Sequence, residues 1–261
     1  MRRLLAFALL VVTAVGLALV AGRSTQAGTS PGLGVTPVNG KTVGHGLRLW
    51  VHVFYAKGGK HGPPPGHGGG GGTVNCTDDN SQTGSAVPFA QTEPISFQAN
   101  TATYPSNLNQ SAVTAALSSS AATWNQAAKG GSPLSVATGG TATGPSQNGT
   151  SELGWAHLAP KNVLAATWTW TNASNQIVEA DLFYNNSWTW DTFASCPSSP
   201  TGHFDVADIG THEMGHALGL NHVSDAGGQA TMYPSAPADE TRKTTLTNGD
   251  ELALAAAIEG P

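Results

Sequence analysis

The tightest constraint on how this chain folds lies in eleven residues, His212-Glu213-Met214-Gly215-His216-Ala217-Leu218-Gly219-Leu220-Asn221-His222. His212 and His216 are four residues apart, so a helix presents both imidazoles on one face to a single ion. Glu213 lies one residue further round and reaches a metal-bound water without taking a coordination position. A third imidazole six residues after His216 cannot share a straight helix face. The helix must stop and turn before His222, and Gly219 tolerates the left-handed conformation that does this. Asp205 followed by Asp208 reads as an N-cap with a capping-box acid, opening this helix, which runs to about Leu218. Three protein ligands leave the fourth position of a tetrahedral zinc for water, the catalytic rather than the closed arrangement.

Around this motif the charge is unevenly placed. Residues 1–73 hold seven Lys/Arg and no acid, whereas residues 74–261 hold all sixteen Asp/Glu and only four basic residues. The net charge of −5 is thus +7 followed by −12. So acidic a C-terminal part lacks the basic patch that phosphate neutralisation needs, which excludes a nucleic-acid partner. Residues 1–27 combine Met1-Arg2-Arg3 with the uncharged run Leu4–Val20 and small residues at Gly22 and Ala27, which predicts a cleaved signal peptide. An uncleaved anchor is the alternative, at the lower length limit for spanning a bilayer. Cleavage implies a secreted protein with no stable membrane association. Residues 57–73 contain nine Gly and three Pro and read as a linker, with His61 and His67 solvated rather than metal-bound. Residues 28–73 therefore read as a basic pro-region and linker. The catalytic domain is expected at 74–261.

Within that domain Ile95–Ala99 is strand-like, and Leu108–Ala128 places Val113, Leu117, Ala121 and Trp124 at helical spacing. Asn162–Thr171 and Gln176–Tyr184 are β-branched and aromatic around an Asn172–Asn175 turn. A further strand is expected over Leu47–Tyr55. Thr247 with Asp250 caps a last helix over Leu252–Ile258. The mixture predicts an α+β class, with a twisted mixed sheet, a long N-terminal helix, an active-site helix and a C-terminal helix. In an oxidising compartment Cys76 and Cys196 read most simply as one disulfide, with two free buried thiols as the alternative.

The eleven-residue motif resembles that of the metzincin zinc endopeptidases, and Thr231-Met232-Tyr233-Pro234 resembles their Met-turn, with Met-Tyr-Pro closest to the matrixin branch. Trp124 in an Ala-rich helix, the run 162–181 and Asp205–His222 look like secreted bacterial enzymes of this branch. The resemblance implies one catalytic Zn²⁺ on His212, His216 and His222, with Glu213 as general base. It implies Met232 as an apolar floor beneath the metal site, supporting it together with the Gly219 turn, and Tyr233 and Pro234, with Ser235–Ala238, as walls of a substrate pocket. An extended protein or peptide substrate would pair with an edge strand, expected within Glu152–Leu158. A monomer is expected.

Departures narrow the resemblance. The N-terminal region has no Cys, so the cysteine-switch latency of vertebrate-type matrixins is not implied. No His occurs between residues 68 and 156, so His157 and His203 read as ordinary residues rather than ligands of a second, structural zinc. Calcium, frequent in the family, cannot be placed, with Asp181 and Asp191 as candidates. Pro234 stands where astacin- and serralysin-like relatives carry a Tyr ligand. Two other functions compete with a peptidase: a non-catalytic binding domain on the same scaffold, and a zinc amidase of cell-wall peptides. Glu213 argues against the pure binder, which needs no base.

Overall fold

The apolar run over 163–171 and its neighbour over 177–185 form a hairpin whose first strand is buried along its whole length. A strand buried on both faces needs cover on each, and that requirement organises the molecule. The computed structural model describes residues 32–57, 76, 84–85, 93–128, 131, 133–224 and 230–259. The predicted signal peptide, His61 and His67 lie outside them. Residues 32–261 cluster as one compact unit.

In chain order the elements are β1 Leu33–Gly34, β2 Val38–Thr42, β3 Arg48–Ala56, β4 Ile95–Ala99, α1 Gln110–Ala127, β5 Leu134–Thr138, β6 Glu152–Ala156, β7 Leu158–Ala159, β8 Val163–Thr171, β9 Ile177–Asn185, β10 Trp190–Asp191, β11 Phe204–Asp205, α2 Val206–Ala217, β12 Ser235–Ala236 and α3 Asn248–Glu259. The main sheet runs β12-β3-β8-β9-β6-β4-β5, with β2 also on β3. Strands β5, β4, β6 and β9 are parallel. β8 is antiparallel to β9, and β3 is antiparallel to β8. This is the expected α+β class.

Two differences from the sequence reading bear on function. The segment 32–57, read as pro-region outside the catalytic domain, contributes β3 to the sheet and lies in the same unit as the motif helix. Strand pairing is non-local, so β3 joins the sheet across the Gly/Pro run and the charge change. Glu152–Leu158 is not an edge either, because β6 lies between β4 and β9.

Helix α1 starts at Asn109, whose side chain accepts from the Ser111 and Ala112 N–H groups. Its stripe of Val113, Leu117, Ala121 and Trp124 is buried as the spacing predicts. Trp124 Nε1 donates to Thr211 O at 2.7 Å, and Ser120 Oγ donates to Ala207 O at 3.0 Å, fixing α1 against α2. A second apolar cluster, with Val51, Val53, Trp168, Trp170 and Phe183, covers the other sheet face. Cys76 and Cys196, 120 positions apart, form the expected disulfide. A loop that long is worth up to ~5 kcal/mol in the chain-entropy picture.

Candidate active site

Helix α2 is buried at all but one position. The Asp205 side chain accepts from Asp208 N–H at 2.9 Å, the expected cap. The Asp208 carboxylate does not close the box. It accepts Lys243 N–H at 2.7 Å, tying the helix start to the segment before α3. At the other end Gly219 N–H donates to His216 O at 3.1 Å and Leu220 N–H to Gly215 O at 3.0 Å, with Gly219 at φ +92°. These paired bonds are the glycine-terminated helix end foreseen from the motif, and they swing His222 back towards the helix face.

The three imidazoles then meet. Nε2 of His216 lies 3.0 Å from Nε2 of both His212 and His222, and the remaining pair is 3.2 Å apart. His212 Nδ1 bonds Thr231 O at 2.6 Å and His216 Nδ1 bonds Leu220 O at 2.9 Å. A carbonyl only accepts, so Nδ1 carries the proton in both and each Nε2 presents a lone pair. Burial pushes all three pKa values down, that of His222 to about 3, and repulsion from neighbouring imidazoles, His52 among them, adds to the effect. Neutral nitrogens converging this closely fit a shared cation. Zn–N bonds of ~2.0–2.1 Å at tetrahedral angles separate ligand nitrogens by about 3.3 Å. Among the described residues this is the group of three or more metal-competent side chains whose ligand atoms lie within 4.8 Å of one another.

Glu213 is fully buried, and burial pushes its pKa up to about 8 against the lowering effect of Thr167. Thr167 Oγ1 on β8 donates to Oε2 at 2.6 Å, while Oε1 has no protein partner. Beneath the site, Met232 packs against Gly215: a Cβ at Gly215 would lie 2.4 Å from the Met232 sulfur. The position inside the motif therefore requires glycine for close approach. Asp250 in α3 accepts from Thr231 N–H at 3.0 Å and Met232 N–H at 3.3 Å, and so grips the Met-turn. Asp250 also completes a reciprocal capping box with Thr247. The sequence foresaw only that second role.

Other predicted residues lie as follows. Tyr233 and Pro234 are half-buried, and Pro234 O accepts Tyr55 N–H at 3.1 Å. Both Asp181 oxygens accept backbone N–H groups, from Ser146 and Glu152, so this calcium candidate anchors a loop. Asp191 Oδ2 lies 3.2 Å from His203 Nδ1. His157 Nδ1 bonds Ser187 Oγ at 2.8 Å. Sequence reasoning missed Thr167, Gly215 and two residues of β3. The Phe54 ring lies 4.1 Å from the His212 ring, and the His52 ring stacks on His216 at 4.1 Å. Only the odd His in an apolar strand hinted at this.

A three-His cluster beside a buried, half-partnered carboxylate is the equipment of a metal-dependent hydrolase. Residues 146–257 match the family model described as Matrixin. Metalloendoproteinase 1 from Glycine max is 44% identical over 62 residues, covering 23% of this chain and 19% of that protein. The chain thus matches about a fifth of this relative's length. Over these residues the chain is thus similar to metalloproteases of matrixin type.

Proposed function

We propose that this protein is a secreted, monomeric zinc endopeptidase that hydrolyses peptide bonds with water rather than through an acyl-enzyme. The observation carrying this reading is the convergence of three neutral imidazoles next to Glu213, whose Oε1 has no protein partner. His212, His216 and His222 would hold the zinc. Zinc, when bound, supplies a Lewis acid for the substrate carbonyl and lowers the pKa of water towards ~7. Glu213 takes the proton from the attacking water at its carboxylate and returns it to the leaving amine nitrogen. Thr167 holds that carboxylate in place through Oε2. Met232, with Gly215 and Asp250 behind it, keeps the floor apolar and fixed. Residues 1–27 act as the export signal. No described helix is long and apolar enough to cross a membrane.

The test is hydrolysis of casein and of a peptide library by purified protein, as the full chain and after cutting within 58–73. Activity should vanish with a chelator and return with zinc. Hydrolysis that ignores metal removal would refute the reading.

A further inference from the structure

Resting on that reading, we propose that Gly84 and Ser85, tethered by the Cys76–Cys196 disulfide, are positioning residues for the third imidazole, so that the disulfide governs how firmly zinc is kept. His212 and His216 stand on α2, and each is oriented by an Nδ1 bond to a carbonyl. His222 stands beyond the Gly219 turn, on a loop outside the helix. Main-chain bonds hold that loop from two sides. Val223 N–H donates to Met232 O at 3.1 Å, and Asn221 N–H donates to Ser85 O at 2.8 Å. Asn221 Oδ1 in turn accepts His222 N–H at 2.8 Å. The third ligand therefore rests in part on a stretch of chain that lies far from the motif in sequence.

The approach of that stretch is specific. A Cβ at Gly84 would collide with Gly249 O and lie 3.1 Å from the Ala253 Cβ, so glycine is required where the chain crosses the first turn of α3. The next residue of that turn is Asp250, which grips Thr231 and Met232. Gly84 and Ser85 thus bridge α3 to the His222 loop. Upstream, Cys76 is fixed to Cys196 in the segment between β10 and β11. That segment is itself tied down: Phe193 N–H donates to the α2 cap Asp205 at 2.9 Å, and Thr201 N–H to Asp239 at 2.8 Å. A stretch anchored to the segment before α2 therefore holds the loop after it. With the disulfide, Ser85 lies between anchors at Cys76 and Ile95, 19 positions apart. Without it, the next described anchor upstream is Lys57, whose N–H bonds Ala236 O, and the span becomes 38 positions. Closing a loop twice as long is about threefold less favourable, because the closure cost follows the 3/2 power of length. Zinc that leaves through the undocked state is released faster by the same factor. Cutting within 58–73 removes the anchor at Lys57 as well, so the factor should then be larger.

The experiment measures zinc transfer to a chelator from the full zinc-loaded chain, and exchange of the Asn221 amide by NMR. Wild type is compared with Cys76→Ser/Cys196→Ser, with Gly84→Ala and with the triple variant. Loss of the disulfide should speed both processes about threefold in the intact chain, and more after cutting within 58–73. Gly84→Ala, with the disulfide in place, should speed both at least as much. In the triple variant, loss of the disulfide should add nothing to Gly84→Ala, because its effect runs through Ser85. A disulfide that merely stabilised the fold would add its full effect there, and that additivity would overturn the proposal. So would zinc release and Asn221 exchange equal to wild type in either variant. If the Ser variant does not fold, the Gly84→Ala comparison decides alone. A wild type that takes up no zinc, with Asn221 exchange still responding without additivity, would uphold the brace and refute the zinc reading instead.

Discussion

Thr167→Val keeps the volume of a fully buried side chain and removes one hydroxyl, which bonds Glu213 at Oε2 and, at 3.1 Å, at its main-chain O. In the native protein that hydroxyl donates to Glu213 Oε2 at 2.6 Å and favours the ionised carboxylate, against a burial that pushes its pKa up to about 8. A hydrogen bond to a charged group is worth ~1.5–3 kcal/mol. At 1.36 kcal/mol per unit, its loss raises the Glu213 pKa by about 1–2 units. The general base must be ionised to act, so the acid limb of kcat/KM should move to higher pH by that amount. At a fixed pH below the limb, activity should fall about tenfold to hundredfold. Zinc content should not change, since no imidazole is touched. The assay is a pH–kcat/KM profile of the linker-cut, zinc-loaded protein, with Thr167→Ser as the control that keeps the hydroxyl and the native limb. An unmoved limb in the Val variant would refute the assignment of Thr167 and weaken that of Glu213 as base.

Two further predictions concern stability. Gly215→Ala gains about 1 kcal/mol of helix propensity, but its Cβ would lie 2.7 Å from a Trp124 ring already fixed by its bond to Thr211 O. Overpacking of ~1–3 kcal/mol should win, so urea denaturation should show a less stable protein, and a more stable one would contradict the packing account. Burial raises the Asp239 pKa, but bonds from the Thr201 hydroxyl and N–H, the Gly202 N–H and the nearby His203 outweigh it and hold the carboxyl below its usual value. A depressed folded-state pKa stabilises above the unfolded value of ~3.9 and is lost as pH falls through the folded one. Asn tolerates the φ of +64° at this position. The stability advantage of wild type over Asp239→Asn should therefore be full at neutral pH and vanish in acid, and a pH-independent difference would be inconsistent with this.

The local parts of the fold were legible because their causes are local. Helical spacing from Val113 to Trp124, the Asn172–Asn175 turn and the Gly219 stop each need only neighbouring residues, and each is in place. The cluster of three imidazoles was legible for the same reason, since all three lie within eleven residues. What escaped is long-range. Thr167 meets Glu213 across 46 positions, and Asp250 reaches Thr231 across 19. A Thr in a β-strand or an Asp in a capping box gives no hint of a second partner. The strand at 48–56 was visible as a strand, but its composition gave no indication that it would sit on the His212 and His216 rings. The wrong edge was expected for a similar reason. β6 pairs with strands from distant parts of the chain, and its own sequence does not say how many.

The central claim is that the three imidazoles bind zinc while Glu213 moves the proton. Glu213→Gln separates the two, because the amide keeps the volume and can still accept from Thr167. Zinc per chain and peptide hydrolysis should be measured on the same linker-cut sample. The account predicts about one zinc per chain, as in wild type, with kcat lowered ~10²–10⁴-fold. Turnover equal to wild type with zinc bound would contradict it.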